Sequence, residues 1–71
     1  MDVQRLVTMA NDIARYFASE PDREAGVEGV ADHLRKFWTP RMREQLIEYF
    51  ASDGAGFDEL TRHAVQRLAA G

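Results

Sequence analysis

Cysteine is absent from this 71-residue chain, and proline occurs only twice. Without cysteine the chain can form no disulfide, carry no thiolate nucleophile and bind no zinc ion or iron–sulfur cluster through sulfur. No apolar run approaches the roughly 20 residues that a membrane-spanning helix needs. The opening MDVQRLV lacks the charged-then-apolar order of a secretory signal. We therefore expect a cytoplasmic protein without a membrane segment.

An excess of positive charge is also missing. Nine lysine and arginine residues stand against twelve acidic residues, for a net charge of -3 and an isoelectric point near 5.2. No overall cationic field therefore attracts nucleic acid. A chain of this length buries only about 60% of the surface that its unfolded form exposes. We expect a single domain over residues 1–71, with a thin core that a partner would stabilise.

Apolar residues recur with helical spacing in four segments, and no segment shows the alternation of a strand. Asp2 suits the N-cap of the first helix, and Thr39 and Pro40 suit the N-cap and first position of a later one. Gly54, in the one obvious loop, can close the third helix in a left-handed conformation. We therefore predict an all-α fold, a small bundle of four short helices over approximately residues 2–18, 22–37, 40–51 and 58–69.

Two glycines interrupt the second predicted helix. Gly26 and Gly29 each lower the helix propensity by about 1 kcal/mol relative to alanine. Their presence indicates either a close crossing with another helix or a frayed first turn.

The reactive side chains do not combine into a catalytic or metal site. A nucleophile needs an adjacent base that a third group orients, but His33 and His63 lie on different predicted helices. Glu59 and His63 share a helix face, yet a catalytic zinc site needs about three protein ligands. We therefore expect no enzymatic activity and no metal site in this chain.

The stretch from His33 to Arg43 has the most distinctive composition in the chain. It contains four basic residues, no acidic residue and two adjacent aromatics at the predicted corner between the second and third helices. Trp, Tyr and Arg dominate the energetics of many protein interfaces, whereas cations beside a stacking aromatic also suit nucleic acid. Composition alone leaves three interpretations open: a core Trp38 beside a solvated basic edge, a protein interface, or a nucleic-acid contact.

Several segments of the chain, taken in order, resemble a known family. They are LVTMANDI at 6–13, YF at 16–17, VADHL at 30–34 and FWTPRMR at 37–43. Their order and spacing resemble those of the delta subunit of cytoplasmic NAD-dependent, molybdenum-containing formate dehydrogenases. The FWTPRMR run is the most specific of these segments.

The resemblance implies a place in a larger enzyme that oxidises formate to carbon dioxide and passes the electrons to NAD. In that family the molybdenum cofactor, the iron–sulfur clusters and the flavin belong to larger subunits, and the delta subunit carries no cofactor. The resemblance thus implies a non-catalytic accessory subunit. It would bind the large catalytic subunit for assembly, cofactor maturation or stability of the complex.

The corner and the resemblance together predict the residues that contact this partner. Trp38, Arg41 and Arg43 are the primary candidates, since arginine pairs with carboxylates in a bidentate manner. Arg35 and His33 are expected behind them.

Other residues of the matching segments have different predicted roles. Thr39 and Pro40 act indirectly by forming the corner. Asn11 falls in a helix interior, where asparagine is a poor helix former, and a surface or contact role is favoured for it. Met9 and Phe17 are expected in the core.

The sequence is also compatible with two other functions. The tight turn between the second and third helices also suits a helix-turn-helix-like nucleic-acid-binding protein. The chain also suits a stand-alone homo-oligomeric helical bundle. In isolation, a homodimer would cover the surface that a partner normally occupies.

Overall fold

Four α-helices make up the fold in a computed structural model that describes residues 2–71. The helices are α1 (Val3–Phe17), α2 (Arg23–Phe37), α3 (Pro40–Ser52) and α4 (Glu59–Ala70). No strand occurs among the described residues. The predicted all-α fold is confirmed, and every helix end lies within one residue of its predicted position.

The starts of α1 and α3 agree because side chains cap them as the sequence suggested. The Asp2 carboxylate accepts a hydrogen bond from the backbone N–H of Gln4 at 3.0 Å. The Thr39 hydroxyl accepts one from the N–H of Met42 at 3.2 Å, and Pro40 occupies the first helical position. These bonds satisfy N–H groups that a helix start leaves without intrahelical partners.

The end of α3 is also closed as predicted. Gly54 adopts a φ of 73°, in the left-handed region that favours glycine. Its N–H donates to the carbonyl of Tyr49 at 3.0 Å, which pairs one of the last carbonyls of the helix. The chain can therefore leave α3 and turn towards α4.

The core lies between the helices, because α1 and α4 each pack against both α2 and α3. Consecutive helices α2 and α3 make the least contact of any helix pair. The largest fully buried side chains come from all four helices: Leu6, Val30, Leu34, Leu46, Thr61 and Val65.

Helices α1 and α2 approach closely at the two glycines of α2. A Cβ atom on Gly29 would lie 2.6 Å from two ring carbons of Phe17, and one on Gly26 would lie 3.2 Å from the Phe17 carbonyl oxygen. The glycines therefore mark a close crossing, the first of the two predicted alternatives. As a result, the Phe17 ring rests on the backbone of α2.

Candidate interaction surface

The two aromatics at the α2–α3 corner point in opposite directions. Trp38 is only 6% exposed and belongs to the core, whereas Phe37 is 72% exposed. Trp38 follows Leu34 by four residues and so continues the buried stripe of α2. Of the interpretations that composition left open, the structure therefore supports a core Trp38, and the aromatic that faces solvent is Phe37.

Arg43 is engaged within the chain rather than presented to solvent. Its Nη1 donates to the carbonyl oxygens of Trp38 at 2.7 Å, Arg35 at 3.0 Å and Leu34 at 3.4 Å. These carbonyls end α2, where a cation is favoured by the helix dipole and by the carbonyls without intrahelical partners. Arg43 thus ties the start of α3 to the end of α2 and holds the corner together with Thr39 and Pro40.

Arg35 belongs to a group of ion pairs between α2 and α4, which we call the ion-pair side. Arg35 Nη1 lies 3.0 Å from Glu28 Oε2, and the other Glu28 oxygen lies 3.4 Å from Arg67 Nη1. Arg67 Nη2 also contacts both carboxylate oxygens of Glu24, at 2.8 and 2.9 Å. Arg35 therefore faces α4, away from the side of α2 that carries His33 and Phe37.

Arg67 is the cation that both carboxylates of the ion-pair side share. The hydrogen bond with Glu24 raises the pKa of the Arg67 guanidinium above its ordinary value, with further support from the charges of Glu24 and Glu28. Arg67 is therefore cationic throughout the pH range in which the protein can be studied.

Asn11 is buried rather than displayed, contrary to the surface role favoured from sequence. It is 8% exposed. Its side-chain amide nitrogen donates to the Gly56 carbonyl at 2.8 Å, and its amide oxygen accepts from the N–H of Asp58 at 3.0 Å. Asn11 thus fastens the α3–α4 loop to α1, and its partners are 45 and 47 residues away in the sequence.

An open cleft between α1 and α2 is lined by Ile13, Tyr16, Phe17 and His33. It has a volume of about 400 Å³. The Tyr16 and Phe17 rings meet edge to face at 5.1 Å, and the His33 ring packs on the Phe37 ring at 4.8 Å. We call these five side chains the aromatic face.

The aromatic face contains the most exposed large hydrophobic side chains of the described chain. Tyr16 is 77% exposed, and Phe37 is nearly as open. Met9, which was expected in the core, is also exposed, while Phe17 is half-buried against the core. The signal was present in the sequence, since Met9, Ile13 and Tyr16 recur at helical spacing along one edge of α1.

Arg41 is exposed and has no carboxylate or carbonyl partner among residues 2–71. Of the nine basic residues, five form ion pairs and two bind backbone carbonyls, which leaves Arg5 and Arg41. Arg41 lies in the first turn of α3, which contains no acidic residue. A cation is disfavoured there by the helix dipole.

Neither a metal cluster nor a membrane-crossing helix is found in the described part of the chain. No three His, Asp or Glu side chains of residues 2–71 converge as metal ligands would. No helix within the same range is long and apolar enough to cross a bilayer.

The fold and its surface define a small all-α bundle protein with one open aromatic cleft. The family model described as NADH-dependent formate dehydrogenase delta subunit FdsD matches residues 5–65 of the chain. The chain therefore belongs to this delta subunit family, which confirms the resemblance noted in the sequence. No curated protein and no solved structure matches the chain.

Proposed function

We propose that this chain is a non-catalytic accessory subunit of an NADH-dependent formate dehydrogenase and binds its large, molybdenum-containing subunit. The observation that carries the proposal is the family match, which spans residues 5–65. The exposed aromatic face supports it, because a contiguous apolar patch on a small soluble chain is typical of an interaction site.

In this role the chain provides a binding surface for the large subunit and no catalytic group. The molybdenum cofactor, the iron–sulfur clusters and the flavin reside on the partner subunits. Binding would support assembly of the complex, maturation of its cofactor or stability of the finished enzyme, in the cytoplasm. A thin core also suits this role, because a bound partner adds to the stability of the folded state.

The predicted contact residues have different parts in this proposal. Arg41 and His33 remain proposed partner contacts, since both lie at the accessible surface of the α1–α2–α3 region. Trp38, Arg43 and Asn11 act indirectly by holding the corner and the α3–α4 loop in place. Arg35 supports the ion-pair side.

Nucleic acid is a poorer candidate partner. Binding to a phosphate backbone draws on several cations that are free to contact it, but seven of the nine basic residues already have partners within the chain. The net charge of -3 also opposes the approach of a polyanion.

The test is to produce the formate dehydrogenase with and without this chain and to compare assembly, molybdenum content and formate-dependent NADH formation. We expect a tagged chain to retrieve the large subunit, and we expect the yield of assembled, molybdenum-loaded enzyme to fall severalfold without the chain. Unchanged assembly, molybdenum content and activity, with no retrieval of the large subunit, would contradict the proposal.

The retrieved complex also distinguishes the possible roles. An active, molybdenum-loaded complex containing the chain would identify a retained structural subunit. A complex that contains the chain but lacks molybdenum and activity would identify an assembly factor. Fractionation of the producing cells tests the cytoplasmic location.

A further inference from the structure

We infer that the aromatic face is the docking surface for an acidic amphipathic helix of the large subunit, with Arg41 pairing to a carboxylate of that helix. This inference rests on the proposed function and specifies where and how the partner binds. It combines an exposed apolar cleft, a preformed shape and unpartnered positive charge.

The exposed hydrophobic side chains of the aromatic face form one connected surface. Isolated exposed apolar residues are common on soluble proteins, but here Tyr16 packs on Phe17 while Phe37 packs on His33. Ile13, Phe17 and His33 line the cleft between these two pairs. Burial of such a connected patch supplies the apolar centre that stable interfaces require.

The cleft is preformed rather than assembled on binding. The Phe17 ring lies directly over Gly29, where no side chain competes for the space. Tyr16 and Phe37 have few rotatable bonds, so their ordering on binding costs little side-chain entropy. A preformed apolar groove between two helices is suited to the apolar face of a third helix.

The charges near the aromatic face favour an acidic occupant. Asp12 is paired with Arg15 at 3.2 Å and Asp32 with Lys36 at 3.0 Å, so these carboxylates are already compensated. Arg41 follows Phe37 by four residues, in the first turn of α3. It has no such partner among residues 2–71, and its charge is disfavoured at a helix start. A carboxylate on the partner would relieve both conditions.

Arg5 provides a second cation without a carboxylate partner among residues 2–71. It precedes Met9 by four residues and Tyr16 by eleven, so all three lie on the same side of α1. Arg5 can therefore reach a helix seated along the aromatic face. Arg5 on α1 and Arg41 at the start of α3 are thus the two basic side chains left to pair with carboxylates of a partner.

The charges beside the face fit an acidic partner better than a second copy of this chain. A standard interface buries roughly 800 Å² per partner, just under a fifth of the 4381 Å² accessible surface of the chain. The aromatic face lies between α1 and α2, two 15-residue helices each about 22 Å long, so a partner helix of similar length can lie along it. In a second copy the carboxylates beside this face, Asp12 and Asp32, are already paired and would not be free to pair with Arg41.

The inference is tested by measuring the affinity of the purified chain for formate dehydrogenase prepared without it. The test variant is Tyr16→Ser with Phe37→Ser, and the matched control is His63→Ser with Gln66→Ser on the exposed side of α4. We expect the aromatic variant to weaken binding at least about 30-fold, the factor for one hot spot of about 2 kcal/mol. The control variant should bind within about twofold of the wild type, and circular dichroism verifies that both variants fold.

A second variant tests the electrostatic part. Arg41→Gln should weaken binding about fivefold at low ionic strength, with a smaller effect at high salt. Unchanged affinity at low salt would overturn the pairing of Arg41 with a partner carboxylate.

The failures of the two proposals are distinguishable. If the folded wild-type chain does not bind the enzyme, the proposed function fails and this inference fails with it. If the wild type binds and the aromatic variant binds equally well, only the docking surface is wrong. Loss of self-association in the aromatic variant, with unchanged affinity for the enzyme, would identify a second copy as the occupant and would also overturn the inference.

Discussion

The two sides of α2 differ in how many of their side chains have partners within the chain. Towards α4, Arg67 pairs with Glu24 and Glu28, and Glu28 also pairs with Arg35, which together form the ion-pair side. Towards α1, His33 and Phe37 border an open cleft with exposed aromatic rings. One side of α2 therefore has its charged groups paired within the chain, whereas the other side leaves aromatic rings exposed to solvent.

This difference separates the parts of the molecule that maintain the fold from the part available to a partner. The ion-pair side connects α2 to α4, and the buried residues of these two helices include Val27, Ala31, Ala64 and Val65. On the aromatic face, by contrast, apolar area remains open to water and can still be buried. We therefore propose that the α1–α2 side carries the interaction, while the α2–α4 side serves the fold alone.

Substitutions of the two aromatics at the α2–α3 corner should give the largest difference in stability. Trp38→Ala should destabilise the isolated chain by about 3–5 kcal/mol, because it removes a large buried side chain from a small core. Phe37→Ala, one residue earlier, should change the free energy of unfolding by less than about 0.5 kcal/mol. Urea denaturation followed by circular dichroism measures both. Similar losses from the two substitutions would show that the corner is not divided into a buried and an exposed aromatic.

Substitution of Asn11 tests whether α1 also carries a polar side chain that stabilises the fold. Asn11→Ala should cost about 2 kcal/mol, because it leaves the Gly56 carbonyl and the Asp58 N–H without their partner. Thr8→Ala, at an exposed position on the same helix, serves as the control and should be nearly neutral. Thermal unfolding compares the two, and a neutral Asn11→Ala would mean that water replaces both bonds.

Gly29 tests the shape of the cleft. Gly29→Ala should destabilise the chain by about 1 kcal/mol, since the clash with Phe17 exceeds the gain in helix propensity. In the background of Phe17→Ala the same substitution should become stabilising, because the ring is gone. A double-mutant cycle on urea midpoints measures this change of sign. A stabilising Gly29→Ala in the wild-type background would show that the Phe17 ring is free to move aside.

Arg67 should give the smallest effect. Arg67→Met should lower the melting temperature slightly at low salt, and the difference should shrink at 1 M salt, where charges are screened over about 3 Å. Because the pKa of Arg67 is raised, its contribution is fully present below the unfolded pKa and is lost only as the pH rises through the folded pKa. Titration of Arg67 itself should therefore contribute no change near neutral pH. A difference that persists at high salt would indicate that packing of the Arg67 stem, rather than its charge, holds this side.

The sequence predicted the helices well because their determinants are local. Asp2, Thr39, Pro40 and Gly54 act on groups within a few residues, and the apolar spacing repeats within each helix. Helical spacing also agrees with the burial of Trp38, four residues after Leu34, although Trp38 follows the last residue of α2 and has left the helical conformation, with φ -91° and ψ 146°.

The candidate site was harder to predict because its geometry depends on distant residues. Asn11 is explained only by Gly56 and Asp58, and the ion-pair side by contacts of Arg67 with Glu24 and Glu28. His33 and Arg35 lie about 200° apart around α2 because they are two residues apart, but which helix packs on each of these sides is set by the tertiary structure. These relationships arise from the packing of the helices and have no signature in a single segment.

The most direct test of the central claim compares the accessibility of the two sides within the assembled enzyme. Because the chain has no cysteine, Met9→Cys beside the aromatic face and Gln66→Cys on α4 each introduce a unique thiol. The thiols are labelled with maleimide in the free chain and in the complex, and the chain is then isolated for mass spectrometry. We predict at least tenfold slower labelling of the Met9→Cys variant in the complex, with unchanged labelling of the Gln66→Cys variant. Unchanged labelling of the Met9→Cys variant, or protection of the Gln66→Cys variant instead, would contradict the account.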